Sequence, residues 1–359
     1  MLSTSVAETT VRMTATPCVL PTPPFTPPLA MLLSELAASN YRFITPTPLT
    51  HQRVMENRTR TQKKPDLVAQ SCPSVATLRD IFGWNLRFDP SAVWQGLLEL
   101  MADADILQSH GGFFSSTVRV SSIANDLFVH SAYPTTQDDA VFFGPDTYRF
   151  ARFVQQGLAL RYRLHATPGP FTQALRVLDV GCGSGAGGVV AARCLSKLAV
   201  PHSIVMNDIN PLALRYTAIN AAYAGIPITL AEGDALSTVT GQLDLVISNP
   251  PYLDDASARA YRHGGERLGR ALSARIAAEA LARLAPGGQL LMYTGVAMVG
   301  GADPFLAEMR PLLAQSGVNW SYAEIDPDVF GEELEQPLYA HVDRIAAVGL
   351  IATRHKSML

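Results

Sequence analysis

The stretch VLDVGCGSGAGG, residues 177–188, constrains this chain most. An apolar run that reads as a strand passes directly into a turn of alternating glycines and then into a helix. Glycines at 181, 183 and 185 let the backbone turn sharply and approach a ligand with no Cβ in the way. Such a turn sits at the carboxyl edge of an open α/β sheet, where these sheets bind their ligands. The surrounding texture agrees. RVLDV (176–180), SIVMND (203–208), PITLAEG (227–233), LDLVIS (243–248) and QLLMYTG (289–295) read as strands. Helical stretches lie between them, such as PLALRYTAINAAYAG and GERLGRALSARIAAEALARL, the second stopped by Pro286-Gly287-Gly288. This alternation predicts a parallel sheet with helices on both faces. VNWSYAEI and RIAAVGLIAT follow with no evident helix between them, which predicts an antiparallel final strand.

The glycine turn has two readings. Gly181, Gly183 and Ala186 satisfy the GxGxxA pattern of a dinucleotide site, and Asp208, ending the second strand, suits a ribose in either case. Three features point away from a nicotinamide cofactor. Asp179 precedes the first glycine by two residues, where an acid can orient the loop or meet a cationic amino group. Asp234, in EGDAL, falls just past the third strand, where a carboxylate can accept from an adenine amino group. Asn249-Pro250-Pro251-Tyr252 ends the fourth strand, on the same edge of the sheet as the glycine loop. Prolines there stop the ladder because neither can donate a backbone hydrogen bond. A stop alone has no need of the flanking asparagine and tyrosine.

Together these pieces resemble the class I S-adenosylmethionine-dependent methyltransferases, and within them the group with an [ND]PP[YF] motif. That group includes the HemK-type glutamine methyltransferases of release factors and several base-nitrogen methyltransferases. The likeness covers about residues 141–359. It implies a seven-stranded, Rossmann-like sheet whose last strand is antiparallel, and S-adenosylmethionine as cofactor. It further implies that Gly181, Gly183 and Gly185 line the methionine part of that cofactor, with Asp179 supporting the loop. Asp208 would bind the ribose hydroxyls and Asp234 the adenine, with Cys182, Ile209, Ala235 and Asn249 bordering the same site. In the family mechanism the asparagine side-chain oxygen and the first proline's carbonyl accept both hydrogens of an acceptor NH₂, while the aromatic ring stacks on its flat face. Asn249, Pro250 and Tyr252 would take those catalytic roles here. Phe143, Pro251 and Tyr252 would contact the acceptor, Phe143 belonging to the segment VFFGPDTYRFARFV (141–154), in which Pro145-Asp146-Thr147 looks like a helix start.

The chain has 359 residues, long for one domain. Residues 1–29 are rich in Thr and Pro and read as a flexible tail. Residues 30–140 read as a mixed α+β accessory domain, possessing an Asp89-Pro90 helix start and two strand-like runs, STVRV and DLFVH, a pattern that suggests a winged helix. The 48% hydrophobic content with 16% charged residues fits a globular core, and no window approaches the apolar length of a membrane span. Cys18, Cys72, Cys182 and Cys194 form no CxxC pair, and no histidines fall at HxxxH spacing; the reading is a cytoplasmic protein with no metal site. Cys182 reads as a small loop filler. A net charge of −3 excludes polycation character, although RVMENRTRTQKK at 53–64 is a local basic run, read chiefly as a solvated loop.

The acceptor is less legible. Gly264-Gly265-Glu266-Arg267-Leu268-Gly269 departs from the GGxDG loop of the release-factor enzymes, which puts glutamine in question. Arg262, His263, Arg267 and Arg270 read equally as solvated helix-face charge or as a path for an anionic substrate, which would suit RNA, whereas EIDPDVFGEELEQ (324–336) would repel its backbone. The leading expectation is methyl transfer to a planar amide or exocyclic amine, on a protein glutamine or a nucleic-acid base. A small-molecule methyltransferase, a catalytically idle cofactor-binding adapter and a dehydrogenase stand behind it.

Overall fold

The computed structural model describes residues 27–61, 74–163, 173–255, 259 and 261–356. Cys18, Cys72, Lys63, Lys64 and all but the end of the Pro/Thr-rich tail lie outside them.

The N-terminal unit opens with helices α1 (Pro28–Ala38), α2 (Pro48–Thr61) and α3 (Val75–Phe82), so the first helix takes in the last two residues assigned to the tail. Asp89 caps a short 3-10 turn, Pro90–Ala92, and not the long helix expected; α4 starts separately at Gln95 and runs to Asp103. Two hairpins follow, β1 (Leu107–His110) with β2 (Phe113–Ser116), and β3 (Val118–Ile123) with β4 (Asp126–Ser131). The first was not expected, because its strands are short and half polar; its one sequence signal is Gly111-Gly112, both at positive φ in the turn.

Helix α5 (Pro145–Arg163) leads into β5 (Leu175–Val180), α6 (Ala186–Lys197), β6 (His202–Asp208), α7 (Pro211–Tyr223), β7 (Thr229–Glu232) and β8 (Leu243–Ser248). Then come α8 (Ala271–Arg283), β9 (Leu284–Met298), α9 (Pro304–Gln315), β10 (Val318–Asp326) and β11 (Arg344–Arg354). Strands β5 to β11 form one seven-stranded sheet in the order β10-β11-β9-β8-β5-β6-β7. Pairings from β7 through β9 are parallel, and β11 is antiparallel to both its neighbours, as expected of the final strand. Strand order reverses at β5, which places a ligand crevice at its carboxyl end.

Both faces of the sheet are buried at its centre, so β8, β9 and β11 are largely apolar and alternate sides, while the edge strands β7 and β10 are mostly exposed. Leu291 and Tyr293 of β9 join the core beneath α5 and α6, while Leu290 and Met292 join that beneath α8 and α9. The expected Pro-Gly-Gly helix stop lies between two β9 pairings, Leu284 with Leu243 and Gln289 with Leu245, where the register shifts. A third core joins the units: Ala213, Tyr216 and Ile219 of α7 pack among Leu32, Leu33, Leu97 and Val129 of the N-terminal unit. Helix α7 is thus shared, which is why its apolar residues show no one-sided pattern.

Candidate active site

The carboxyl ends of β5 to β8 open onto a cleft of about 190 Å³. Its floor is the glycine turn. Gly181 and Gly183 have φ of +68° and +55°, and a Cβ at either would meet no atom within 4 Å, so the left-handed backbone requires glycine while the side facing the cleft stays open. Gly185 differs from the expectation. Its φ is +77°, but a Cβ there would lie 3.0 Å from Thr217 Oγ1, so it packs on α7 and does not line the cleft.

Asp179 also stands outside the cleft, buried beneath the turn, where it accepts from Gly188 N at 2.7 Å. Burial pushes its carboxyl up to about 7. Asp208 lines the cleft and braces the loop, accepting from Gly183 N and Asn210 N, both at 2.9 Å; burial raises its carboxyl too. Asn210 caps α7 by accepting from Leu212 N. From behind, Thr217 donates to Gly183 O at 3.0 Å and Asn220 donates to Ser184 O at 2.9 Å. Cys182 borders the cleft, buried, and burial pushes its thiol well above the usual range, as suits a small loop filler.

Ile209, 59% exposed, forms an apolar wall at one end of the cleft with Asp234, Ala235 and Ile276 nearby. The Asp234 carboxylate is gripped by both arms of Arg275, at 2.6 and 2.9 Å, which holds its carboxyl below the ordinary value. Sequence reading missed this fork because 41 residues separate the partners.

At the opposite end stand Asn249, Pro250, Pro251 and Tyr252. Asn249 Oδ1 is buried and has no hydrogen-bond partner among the described residues. Such an acceptor is rare, since buried carbonyl oxygens are almost always paired. The Tyr252 ring lies on Gly295, where a Cβ would collide with it. Its hydroxyl donates to Asp146, which also accepts from Tyr293 at 2.6 Å. The loop after this motif is built on it. Leu253 N donates to Arg262 O, Gly264 N donates to Leu253 O, and Gly264 and Gly269 abut the backbone of residues 251–253 too closely for any side chain. Residues 266–270 consequently form tight turns, with Arg267 and Leu268 at positive φ, where a helix was expected; α8 begins only at Ala271.

Two differences from expectation concern this end of the cleft. Phe143 is buried away from the cleft, stacked on His130 with centroids 4.9 Å apart, and its neighbour Phe142 lines the cleft instead. Tyr261 and Phe330, from distant segments, join it, and no sequence pattern marked them. The basic residues are already matched: Arg262 pairs with Glu333 and lies 3.7 Å from Asp255, while Arg267 and Arg270 both meet Glu308. His263 Nδ1 accepts from Asp255 N. In the N-terminal basic run, Arg58 pairs with Asp80 at 2.6 Å, and residues 53–61 are helical. Among the described residues no cluster suits a metal ion, and no helix is long and apolar enough to cross a membrane.

Residues 164–298 match the family model described as methyltransferase small domain. Over this segment the chain is similar to class I methyltransferases of the HemK-type group. It is 34% identical over 169 residues to the release factor glutamine methyltransferase of Deinococcus radiodurans, covering 44% of this chain and 55% of that protein. A match to the enzyme of the same name from Cereibacter sphaeroides is 35% identical over 136 residues, or 34% of this chain and 47% of that protein. The ribosomal RNA small subunit methyltransferase C of Serratia proteamaculans is 39% identical over 79 residues, 22% of each chain. The chain therefore spans about half or less of the length of these relatives.

Proposed function

We propose that this protein transfers the methyl group of S-adenosylmethionine to a planar NH₂ nitrogen, on a protein carboxamide or the exocyclic amine of a nucleic-acid base. Asn249 Oδ1 carries this reading: an unpartnered acceptor buried at the cleft wall is matched by an NH₂ donor. The names of the relatives, glutamine and ribosomal RNA methyltransferases, support the same pair of acceptor classes.

The cleft residues fit the cofactor. Gly181 and Gly183 leave an open floor for its chain, Asp208 offers carboxylate oxygens to ribose hydroxyls, and Ile209 offers an apolar face to the adenine, whose amino group Asp234 would accept. When bound, the cofactor supplies an electrophilic methyl carbon on a sulfonium. A planar nitrogen is a poor nucleophile because its lone pair is delocalised, so the protein's contribution is orientation and charge. Asn249 Oδ1 and the Pro250 carbonyl would take the two N–H bonds, the Tyr252 ring the flat face, and the oxygens would favour positive charge growing on nitrogen. Alignment of this kind is worth up to roughly 7–11 kcal/mol, so no dedicated general base is required.

The N-terminal unit would present or exclude acceptors. Its order from α3 through the Phe88 to Phe114 bridge, the 3-10 turn, α4 and the first hairpin supports a winged-helix-like reading. The face of α4 carries Gln95, Glu99 and Asp103, all exposed, which does not favour a phosphate backbone there. With the arginines of the acceptor mouth paired to acids, this favours a protein acceptor over RNA.

The test is incubation with methyl-labelled S-adenosylmethionine and cell extract split into protein, RNA and metabolite fractions. Label in protein or RNA supports the proposal; label only in metabolites overturns it. Asn249→Ala should abolish transfer while cofactor affinity, measured by calorimetry, stays within a few-fold; undiminished transfer would refute the role of Asn249.

A further inference from the structure

We infer that Asp146 is a positioning residue whose carboxylate pins the Tyr252 ring at the acceptor end of the cleft. Its consequence for turnover rests on the methyl-transfer reading above, whereas the pin itself is a property of the protein alone. Asp146 lies in the first turn of α5, 106 residues from Tyr252, and lines the cleft although only 3% exposed. One oxygen accepts from the Tyr252 hydroxyl and the other from Tyr293 on β9. Arg149, one turn along, lies 3.6 Å from it and is itself held by Asp326 of β10 at 2.7 Å.

The rest of the ring's surroundings set its plane but not its tip. Gly295 removes the atom that would collide with one ring edge, Phe330 meets the ring edge-on at 5.8 Å, and the tight passage of Gly264 and Gly269 fixes the backbone. What remains is swing of the ring about the Cα–Cβ bond, which would carry the hydroxyl away, and the hydrogen bond at the hydroxyl restrains it. A carboxylate suits this task because charge-assisted bonds are the strong ones, and a buried carboxylate must be satisfied by donors. Two tyrosine hydroxyls from different segments converge on it, so the β8 loop and β9 are tied to α5 at the point where the acceptor would rest. Asp146 would not touch the reacting atoms; it acts through Tyr252.

The experiment is NMR on the full chain labelled in its tyrosine rings, with Tyr252→Phe assigning the Tyr252 signals. The expected result is a slowly exchanging Tyr252 hydroxyl proton and one sharp set of ring signals, the mark of a single rotamer. Asp146→Ala should speed hydroxyl exchange at least about tenfold, as loss of one charge-assisted hydrogen bond allows, and should shift or broaden the Tyr252 ring signals as the ring samples more than one rotamer. Tyr293→Phe should leave the Tyr252 signals in place. Label transfer to the acceptor-bearing extract fraction should drop about 10²-fold in Asp146→Ala, with S-adenosylmethionine affinity within about threefold. Adding Tyr252→Phe to that variant should cause no further loss. Unchanged ring signals in Asp146→Ala overturn the inference, as do losses that multiply in the double variant. A cofactor affinity that falls as far as transfer overturns it too, by making Asp146 a cofactor residue. If Asp146→Ala does not fold, Tyr252→Phe carries the test, since it keeps the ring and its packing; undiminished transfer there overturns the pin. Failure of the unsubstituted protein to bind S-adenosylmethionine would instead sink the methyl-transfer reading and leave the ring measurement standing.

Discussion

Asn220 offers the sharpest test of how the N-terminal unit serves the cleft. It is fully buried on α7, and its amide makes three bonds in two directions. Val129 N, in β4, donates to Oδ1 at 2.8 Å, and Nδ2 donates to Val129 O at 3.0 Å and to Ser184 O of the glycine loop at 2.9 Å. Val129 lies in a two-stranded hairpin, so its outward backbone groups have no ladder partner except this side chain. Asn220→Ala leaves one buried N–H and two carbonyls short of a partner. An unsatisfied buried donor costs about 1–3 kcal/mol, and with weakened carbonyls and a small void the total is roughly 3–5 kcal/mol. That is a large part of the roughly 5–15 kcal/mol typical of a folded domain. Urea unfolding should register this loss, and calorimetry should register a fall of more than about tenfold in S-adenosylmethionine affinity, because Ser184 loses its anchor. A change below about 1 kcal/mol with unaltered affinity would refute the view that one amide couples the hairpin to the loop.

The other predictions concern the acids around the cleft. Burial raises the Asp179 carboxyl from 3.8 to about 7, so the folded state holds that proton more tightly than the unfolded chain. Its contribution to stability is complete below about pH 4 and is lost as pH rises through about 7, at up to about 1.4 kcal/mol per unit. Asp179→Asn, which can still accept from Gly188 N, should flatten the stability profile over that window; a profile parallel to the unsubstituted protein's would count against the assignment. Arg275→Ala should change stability by less than about 1 kcal/mol, because the ion pair with Asp234 is half exposed, and should let the Asp234 carboxyl rise toward its ordinary value. Asp234→Ala should weaken S-adenosylmethionine binding about tenfold if its carboxylate takes the adenine amino group, an effect of one charge-assisted bond. Equal losses in the two variants would mean that Asp234 acts only as the partner of Arg275.

The seven strands, their sequence and the edge bearing the site were legible from local signals: apolar runs of strand length, glycines where φ must be positive, prolines where a ladder must end. Those signals need no knowledge of what lies across the fold. The position of Asp208 and Asn249-Pro250-Pro251-Tyr252 on the cleft was legible the same way, since a residue at the carboxyl end of a parallel strand faces the crevice whatever surrounds it.

Tertiary packing decided the rest. Phe142 and Phe143 are adjacent and chemically alike, and only the docking of the N-terminal hairpin, which brings His130 against Phe143, sends one ring to the core and the other to the cleft. Gly185 reads like its two neighbours until Thr217 of α7 is placed beside it. Arg262, Arg267 and Arg270 read as free cations until Glu333 and Glu308 reach them from 71, 41 and 38 residues away. The bonds of Asp146 to Tyr252 and Tyr293 span 106 and 147 residues. Backbone conformation and strand length are set by a residue and its nearest neighbours, whereas the partner of a charge or the surroundings of a ring are set by whichever segment the chain later folds against it.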